Sequence, residues 1–490
     1  MLVEFRPHTR LRGERPADLG ASVLPVVNAV SESDADLGKV RVVCDWVQYR
    51  NNFRDAVDIR PILRGEPGAL PEPIGVRDDD LEIAVDVRRA TEAPLGELTA
   101  TLLRQVPERV VLEGWTRGSQ SCVWQFNALY WSALELWEKA TGRGYEQALP
   151  GGESDARNTA AATELIEELF AVWDRLAATN ALPEELYVVE LGVGNGNQAK
   201  VFLDRFRELD TGHGKGYYGR LHYLMCDYSA HVLDLARETV AEHAERVSLF
   251  ALDATRPRRS LAFLQYKAFL IYISNVYDNL PTDEVAQLGG RTYCVQTRAY
   301  LPAEAAGELA TSISATPGQL PELVRKLLRL GPSLLVDACP AHFPDVDSAV
   351  RFWQRTWSAV RLEERYVPLA GLDTYPLTEA LTGETLRPLL ESGADVRMHV
   401  NNGAVASFDE TLGLLHPYGK LVCHDLFVTD IQGYRTTFRG PGKYDGSVVN
   451  WVNGPLLAHV GRRRGFDVHY EPFRHRGGGH IVTMTAQVRD

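Results

Sequence analysis

A glycine-rich turn between an apolar strand and a helix constrains this 490-residue chain more than any other feature. The segment Glu190-Leu-Gly-Val-Gly-Asn-Gly196 follows the apolar residues 187–191 and precedes a helical pattern at 198–209. Glycines let the backbone turn sharply and approach a ligand, while the following helix offers unpaired N–H groups. The turn therefore predicts a nucleotide-type ligand, and the alternative is a tight strand-to-helix turn that binds nothing.

Strand-like and helix-like segments alternate along the chain after this turn. Strands are predicted at 187–191, 221–227, 247–253 and 266–275, and helices at 198–209 and 230–244. Such alternation implies right-handed βαβ units and a parallel sheet. The rhythm resumes at 403 and ends in two strands, 465–473 and 480–488, joined by a Gly-rich turn that holds residues 477–479. The predicted fold class is α/β, a Rossmann-like sheet with a terminal antiparallel hairpin.

Length and pattern predict more than one domain. The predicted regions are an α/β N-terminal extension of unknown role at 1–120, a helical lead-in at 121–185, a ligand-binding core at 186–281 and 403–490, and a mostly helical insertion at 282–402. Loops are predicted at 64–75 and 150–158 from their glycine, proline and polar content. Large side chains of the insertion either wall a substrate pocket or form a private core: Tyr293, Arg298, Tyr300, Trp353, Trp357 and Tyr366.

Two aspartates follow the strands next to the glycine turn. Asp227 ends the second strand, where a carboxylate can accept both ribose hydroxyls of an adenosine, and Asp253 ends the third, where it can accept the adenine amino group. The alternative for each is a helix cap or a surface carboxylate. The candidate cofactor-binding residues are Glu190, Gly192, Gly194, Asn195, Gly196, Asp227, Tyr228, Asp253, Ala254, Ser274 and Asn275.

NAD and S-adenosylmethionine (SAM) both suit these features. The dinucleotide spacing G-x-G-x-x-G requires glycine at position 197, where Asn197 stands. The terminal hairpin places one antiparallel strand in a parallel sheet, whereas a dinucleotide fold tends to continue with parallel strands and crossovers. The pattern favours SAM as the cofactor of a methyltransferase, and an NAD-dependent oxidoreductase is the alternative.

At these residues the chain resembles the class I SAM-dependent methyltransferases. Within them it is similar to the MidA-like family, which includes a mitochondrial complex I assembly factor that methylates protein arginine. The resemblance covers 155–300 and 403–490 and rests on VVELGVGNG at 188–196, SNVYDNLP at 274–281, LVCHDLF at 421–427 and GPGKYDGSVVNWVNGPLL at 440–457. It implies transfer of a methyl group from SAM to a small molecule or a protein side chain.

The chain departs from the family pattern at two places, of which the first concerns the substrate and the second concerns the chemistry of a turn. Val276 stands where the family has a glutamate, and Leu426-Phe427 stands where it has Tyr-Gly. A carboxylate at position 276 would pair with a guanidinium substrate, since a guanidinium stays charged. Arginine and another acceptor therefore remain alternative substrates.

Methyl transfer needs little side-chain chemistry, because alignment of the nucleophile supplies much of the rate. The candidate catalytic residues follow the fourth and fifth strands, where open α/β sheets bind ligands: Tyr277, Asp278, His424 and Asp425. Neutral His424 is a competent base whose protonation would lower the rate below about pH 6.5. Asp278 either binds substrate or holds the Leu280-Pro281 turn. Only one of His424 and Asp425 can face the site, since neighbouring strand residues point to opposite faces.

Composition limits the remaining classes of function. A net charge of −13 argues against a general nucleic-acid or anionic-membrane surface, and no run of about 18 apolar residues spans a membrane. The six scattered cysteines form no C-x-x-C pair, so no metal site and no disulfide framework is predicted. The N-terminal segment lacks a secretory signal. The sequence predicts a cytoplasmic enzyme and does not define its oligomeric state. A non-catalytic assembly or scaffold protein is the alternative.

Overall fold

The computed structural model describes residues 1–5, 19–45, 52–64, 80–89, 93–144, 159–436, 440–475 and 480–489. The chain divides into two compact units, each built from separate segments. Unit 1 comprises Met1–Leu129, Pro281–Val400 and Asp430–Trp451, and unit 2 comprises Tyr130–Leu280, Asn401–Thr429 and Val452–Asp490. The loop predicted at 150–158, nearly all of the one at 64–75 and the glycines at 477–479 lie outside the described residues.

The strands are numbered in chain order. They are β1 Leu2–Phe5, β2 Val40–Asp45, β3 Val57–Ile62, β4 Asp80–Asp86, β5 Arg109–Val111, β6 Thr116–Arg117, β7 Leu186–Leu191, β8 Leu221–Asp227, β9 Val247–Ala251, β10 Ala268–Ser274, β11 Asp283–Leu288, β12 Arg291–Pro302, β13 Arg361–Pro368, β14 Val396–Val400, β15 Leu415–Asp425, β16 Phe427–Val428, β17 Gly442–Tyr444, β18 Ser447–Val449, β19 Val452–Asn453, β20 Phe466–Pro472 and β21 Val482–Val488.

The α-helices are numbered in the same way. They are α1 Leu19–Ser31, α2 Leu95–Arg104, α3 Cys122–Ser132, α4 Leu134–Thr141, α5 Thr159–Ala178, α6 Asn197–His213, α7 Ala230–Thr239, α8 Arg258–Leu261, α9 Ala303–Ser312, α10 Leu320–Ala338, α11 Val346–Ala359, α12 Arg387–Leu390, α13 Asn402–Leu412, α14 Gln432–Thr436 and α15 Gly454–Arg463. Among the described helices, none combines the length and apolar content that a membrane crossing requires.

The described strands of unit 2 include a seven-stranded sheet in the order β20-β21-β15-β10-β7-β8-β9. Neighbouring strands from β15 to β9 run parallel, whereas β21 runs antiparallel to both β15 and β20. This arrangement confirms the Rossmann-like sheet with a terminal antiparallel hairpin. Apolar residues of α5 and α6 pack against one face of the sheet around Trp173, Phe202 and Phe206. The parallel pairing brings the carboxyl ends of β7, β8, β10 and β15 to one edge.

The described part of unit 1 contains a ten-stranded mixed sheet. Its strands follow the order β1-β2-β4-β3-β13-β12-β11-β14, and β5 and β6 pair with β12 as well. Helices α1 and α2 pack against the first strands through a core that includes Val26, Ile83 and Leu95. The predicted N-terminal extension and insertion thus share one sheet and are not separate domains.

The insertion at 282–402 differs from the sequence prediction. It contains helices α9–α12, but it is not mostly helical, because it also supplies the four strands β11–β14. Strand β13 shows why the pattern was missed: Glu364 and Arg365 are both buried although they point to opposite faces. Polar side chains on both faces remove the apolar alternation that signals a strand. Trp353 and Trp357 are buried within unit 1, as expected for a private core.

Candidate cofactor site and neighbouring acids

Three glycines shape the turn between β7 and α6. Gly192, Gly194 and Gly196 have φ values of 77°, 56° and 81°, in the left-handed region that favours glycine. A Cβ on Gly192 would lie 2.3 Å from Cγ2 of Val276, and one on Gly196 would lie 2.9 Å from Cα of Ala236 in α7. The backbone conformation and the close approaches therefore both require glycine at positions 192 and 196.

The carboxylate of Asp227 faces the glycine turn from the end of β8. Its Oδ2 accepts a hydrogen bond from the N–H of Gly194 at 3.2 Å, and its Oδ1 accepts one from the N–H of Ser229 at 3.0 Å. Burial raises the pKa of Asp227 to about 6, although these backbone N–H groups favour the ionised form. Each carboxylate oxygen has two lone pairs, so both can still accept a further hydrogen bond.

Glu190 supports the turn from the interior of unit 2. Its side chain is 2% exposed, and its Oε2 accepts a hydrogen bond from the Tyr223 hydroxyl at 2.7 Å. Burial, with a smaller contribution from the charge of Asp227, raises the pKa of Glu190 to about 8. The carboxyl group of Glu190 therefore holds its proton near neutral pH.

The segment after β9 offers a second carboxylate near Asp227. Strand β9 ends at Ala251, two residues before the predicted end, and Asp253 lies exposed beyond it. Its Oδ1 accepts hydrogen bonds from the N–H and the hydroxyl of Thr255 at 2.8 and 2.7 Å. Burial and the nearby charge of Asp253 raise the pKa of Tyr228, whose ring is 48% exposed. Ala254 is partly buried beside them.

The end of β10 forms the other side of this edge. Ser274 lies in register with His424 of β15, and the N–H of Asn275 donates to the His424 carbonyl at 3.0 Å. Asn275 has a φ of 51°, which is unusual for a residue other than glycine and is best tolerated by asparagine and aspartate. This conformation ends the strand and places Val276 against Gly192.

The predicted catalytic acids Asp278 and Asp425 belong to the turn that follows β10 and to the strand end that holds it. Oδ2 of Asp425 accepts hydrogen bonds from the N–H groups of Tyr277 and Asp278 at 2.8 and 3.3 Å, and Oδ1 accepts one from Leu426 at 2.7 Å. Burial raises the pKa of Asp425 to about 6 and, together with the charge of Asp425, raises the pKa of Asp278 well above its ordinary value. The two buried carboxyl groups therefore disfavour a doubly ionised state.

Tyr277 lies in the core of unit 2 and not at its surface. Its ring is fully buried, and its hydroxyl lies beside Ser407 and Thr411 of α13. Burial raises the pKa of Tyr277 well above its ordinary value. The turn at 277–279 is thus held by the buried ring of Tyr277 and by the hydrogen bonds that Asp425 accepts from its backbone.

His424 points to the opposite face of β15 and packs among aromatic side chains. Its Nδ1 lies 3.0 Å from the Thr483 hydroxyl, and its ring centroid lies 4.6 Å from that of Phe473 and 5.4 Å from that of Tyr272. The side chain is 6% exposed. Burial, with the charge of His475, lowers the pKa of His424 to about 4. His424 is therefore neutral near pH 7, but it has little access to solvent.

The structure gathers the predicted cofactor residues at one edge of unit 2 but divides the predicted catalytic residues. Asp425 and Tyr277 anchor the turn after β10, whereas His424 lies on the other face with the terminal hairpin. Tyr223, which donates to Glu190, was not predicted as a site residue, and Val276 was named only as a departure from the family pattern and not as a contact of Gly192. The alternation in LHYLMCD offered a signal for Tyr223, because it places residues 223 and 227 on one face.

No protein-family model and no curated protein matches the chain. A Burkholderia thailandensis structure with bound S-adenosylhomocysteine is 14% identical over 76% of this chain and 88% of its own, with a TM-score of 0.44. An uncharacterized Burkholderia thailandensis protein is also 14% identical, over 76% and 87%, with a TM-score of 0.38. A methyltransferase from Streptomyces caelestis is 9% identical over 74% and 99%, with a TM-score of 0.32.

Proposed function

We propose that the chain is a SAM-dependent methyltransferase and that the carboxyl edge of β7, β8 and β9 binds the cofactor. The observation that carries the proposal is the Asp227 carboxylate, which faces a turn of three left-handed glycines. A non-catalytic scaffold protein does not need a turn of three left-handed glycines beside an acceptor-rich carboxylate.

The residues at this edge fit an adenosine that carries a positively charged chain. Asp227 keeps lone pairs for the two ribose hydroxyls, and exposed Asp253 can accept from the adenine amino group. The glycine turn lets the backbone approach a ligand closely, and Asn195 and Ser274 offer polar groups beside it. When bound, SAM supplies an activated methyl group. The residues of this chain bind and orient the reactants.

The terminal hairpin favours SAM over NAD. Strand β21 lies antiparallel between β15 and β20, where a dinucleotide fold tends to add a parallel strand by another crossover. Position 197 is the first residue of α6 and is asparagine, so the third glycine of the dinucleotide spacing is absent.

The acceptor is a small molecule or a protein side chain. Arginine of a protein is the second candidate, since two acids follow β10 and β15. Asp425, however, accepts hydrogen bonds from three backbone N–H groups, and burial and the charge of Asp425 raise the pKa of Asp278, which disfavours its ionised form. A guanidinium ion needs ionised carboxylates, so these contacts favour an acceptor other than arginine.

Two segments of the MidA-like resemblance meet in space, which supports a place for the chain near that family. Asp425 belongs to LVCHDLF, and its carboxylate binds the backbone of SNVYDNLP. The family's pattern of acids after these strands therefore has a structural explanation in this chain. In this chain the Asp425 carboxylate fixes the turn that brings Val276 into contact with Gly192.

Calorimetric titration of the full chain with SAM, S-adenosylhomocysteine and NADH tests the cofactor. We expect saturable binding of the first two. Asp227→Ala should weaken it by a factor of about 100 or more, since two charge-assisted hydrogen bonds are lost and each contributes about 1.5–3 kcal/mol. Asp227→Asn keeps the shape but loses the charge, and it should bind with intermediate affinity.

Asp234→Ala is the matched control. Asp234 is an exposed aspartate of the following helix, α7, where it forms an ion pair with Arg237. We expect wild-type affinity for SAM in this variant. Failure of the folded wild type to bind SAM would refute the proposal, and binding of NADH in its place would establish the oxidoreductase alternative.

A further inference from the structure

One face of the unit 1 sheet holds a tryptophan against two arginines. Gln296 and Arg298 of β12 lie directly opposite Arg365 and Glu363 of β13, so these four side chains share a face. Trp115 lies between β5 and β6 on the same face. The Cζ atoms of Arg298 and Arg365 are 4.6 and 4.5 Å from the centroid of its ring. We call these five residues the arginine–tryptophan cluster.

Positive charge is only partly balanced in the arginine–tryptophan cluster. Arg298 and neighbouring Arg109 share one carboxylate, Glu363, with N–O distances of 2.5 and 2.6 Å. Arg365 forms no ion pair within the described part of unit 1. Its Nε and Nη2 both donate to the Gln296 amide oxygen, at 3.0 and 2.7 Å. Three guanidinium groups therefore face one carboxylate, in a chain whose net charge is −13.

Arg365 is held where a cation is costly. Its side chain is 7% exposed, and burial together with the charge of Arg298 lowers its pKa. One indole ring and one amide oxygen replace only part of the water that a guanidinium loses on burial. An oxyanion would use the remaining N–H donors and relieve the repulsion between the two arginines. Arg298 is 27% exposed, which leaves this side open to solvent.

We propose that Arg298 and Arg365, held against Trp115, form a binding site for an oxyanion, the phosphate or carboxylate group of a small ligand. Paired guanidinium groups suit a phosphate or a carboxylate, because each of these anions presents two neighbouring oxygens to the planar fork of N–H donors. The indole fixes both arginines before the ligand arrives, so little side-chain entropy is lost on binding. The site lies within unit 1 and does not depend on the proposed methyltransferase activity.

Calorimetric titration of the full chain with inorganic phosphate and, separately, with succinate at low ionic strength tests this site. We expect saturable binding of at least one of the two anions. Arg365→Gln and Arg298→Gln should each weaken it about tenfold or more, because a charge-assisted hydrogen bond contributes at least about 1.4 kcal/mol. Both variants should bind SAM as the wild type does, which separates this site from the cofactor site.

Arg325→Gln is the matched control, because Arg325 is an exposed arginine of α10 in the same unit. It should leave anion binding unchanged. Arg365→Lys provides a test if Arg365→Gln does not fold: it keeps the charge but loses the planar fork, so affinity should fall by a smaller factor. Preference for phosphate or for succinate identifies the group. Absence of saturable binding by both anions, or equal binding in the arginine variants and the wild type, would overturn the proposal.

Discussion

Replacing Glu190 with glutamine tests whether the buried carboxyl group at the end of β7 weakens unit 2 as pH rises. Burial raises the pKa of Glu190 from 4.5 to about 8. A group with a raised folded-state pKa contributes stability that is complete below its unfolded pKa and is lost as pH rises through the folded pKa. Glutamine has no titrating proton and can still accept the hydrogen bond from Tyr223.

The expected size of the effect follows from the two pKa values of Glu190. Between about pH 6 and about pH 8, one group with these values loses about 2 kcal/mol of folding free energy. Asp227 and Asp425, with pKa values of about 6, titrate in both proteins. Their contribution cancels in the difference between the variant and the wild type. Glu190→Gln should therefore gain about 2 kcal/mol relative to wild type over this interval.

Hydrogen exchange of the β7 and β8 amides measures this difference, because the two units need not unfold together. Exchange is followed by mass spectrometry at both pH values and corrected for the intrinsic rate. Glu185→Gln is the control, since Glu185 is an exposed glutamate that precedes the same strand. Equal loss of protection in Glu190→Gln and wild type would show that Glu190 is ionised throughout, and the reasoning would be wrong.

Three further perturbations address the turn, the histidine and unit 1. Gly192 has a φ of 77°, and a Cβ at this position would lie 2.3 Å from Val276, so Gly192→Ala should lower the free energy of unfolding of unit 2 by about 2 kcal/mol or more. Urea denaturation of the double variant with Val276→Ala should recover part of this free energy. No recovery would rule out the contact with Val276 as the cause. Because the pKa of His424 is about 4, the methyl-transfer rate should show no titration of His424 near pH 6.5; a pH–rate profile in which His424→Ala abolishes such a titration would contradict the burial. Lys443→Met removes the hydrogen bonds that the Lys443 ammonium donates to carbonyls at the end of α11, and it should lower the free energy of unfolding of unit 1 by about 1–3 kcal/mol. An unchanged midpoint of urea denaturation would refute that role.

The sequence predicted the sheet of unit 2 and the glycine turn at the edge where we propose that the cofactor binds, because both depend on local signals. Apolar strands alternate with amphipathic helices, and Asp227 ends the strand that neighbours the glycine turn. The left-handed φ values at Gly192, Gly194 and Gly196 are a property that glycine alone adopts without strain. Such features can be predicted because each is encoded within a few neighbouring residues.

Tertiary structure alone decided the roles of the acids and of His424, and the partners of the strands in unit 1. Asp425 could be placed at the end of β15, but its hydrogen bonds run to residues almost 150 positions earlier in the chain. His424 could be placed on the other face, but its lowered pKa comes from burial under a hairpin that begins beyond residue 465. Strand β13 was hidden by the buried charge of Glu364, whose partners Arg60 and Arg397 lie on β3 and β14. Burial and charge pairing are sums over distant segments, so local pattern determined the elements of this protein while packing determined what their side chains do.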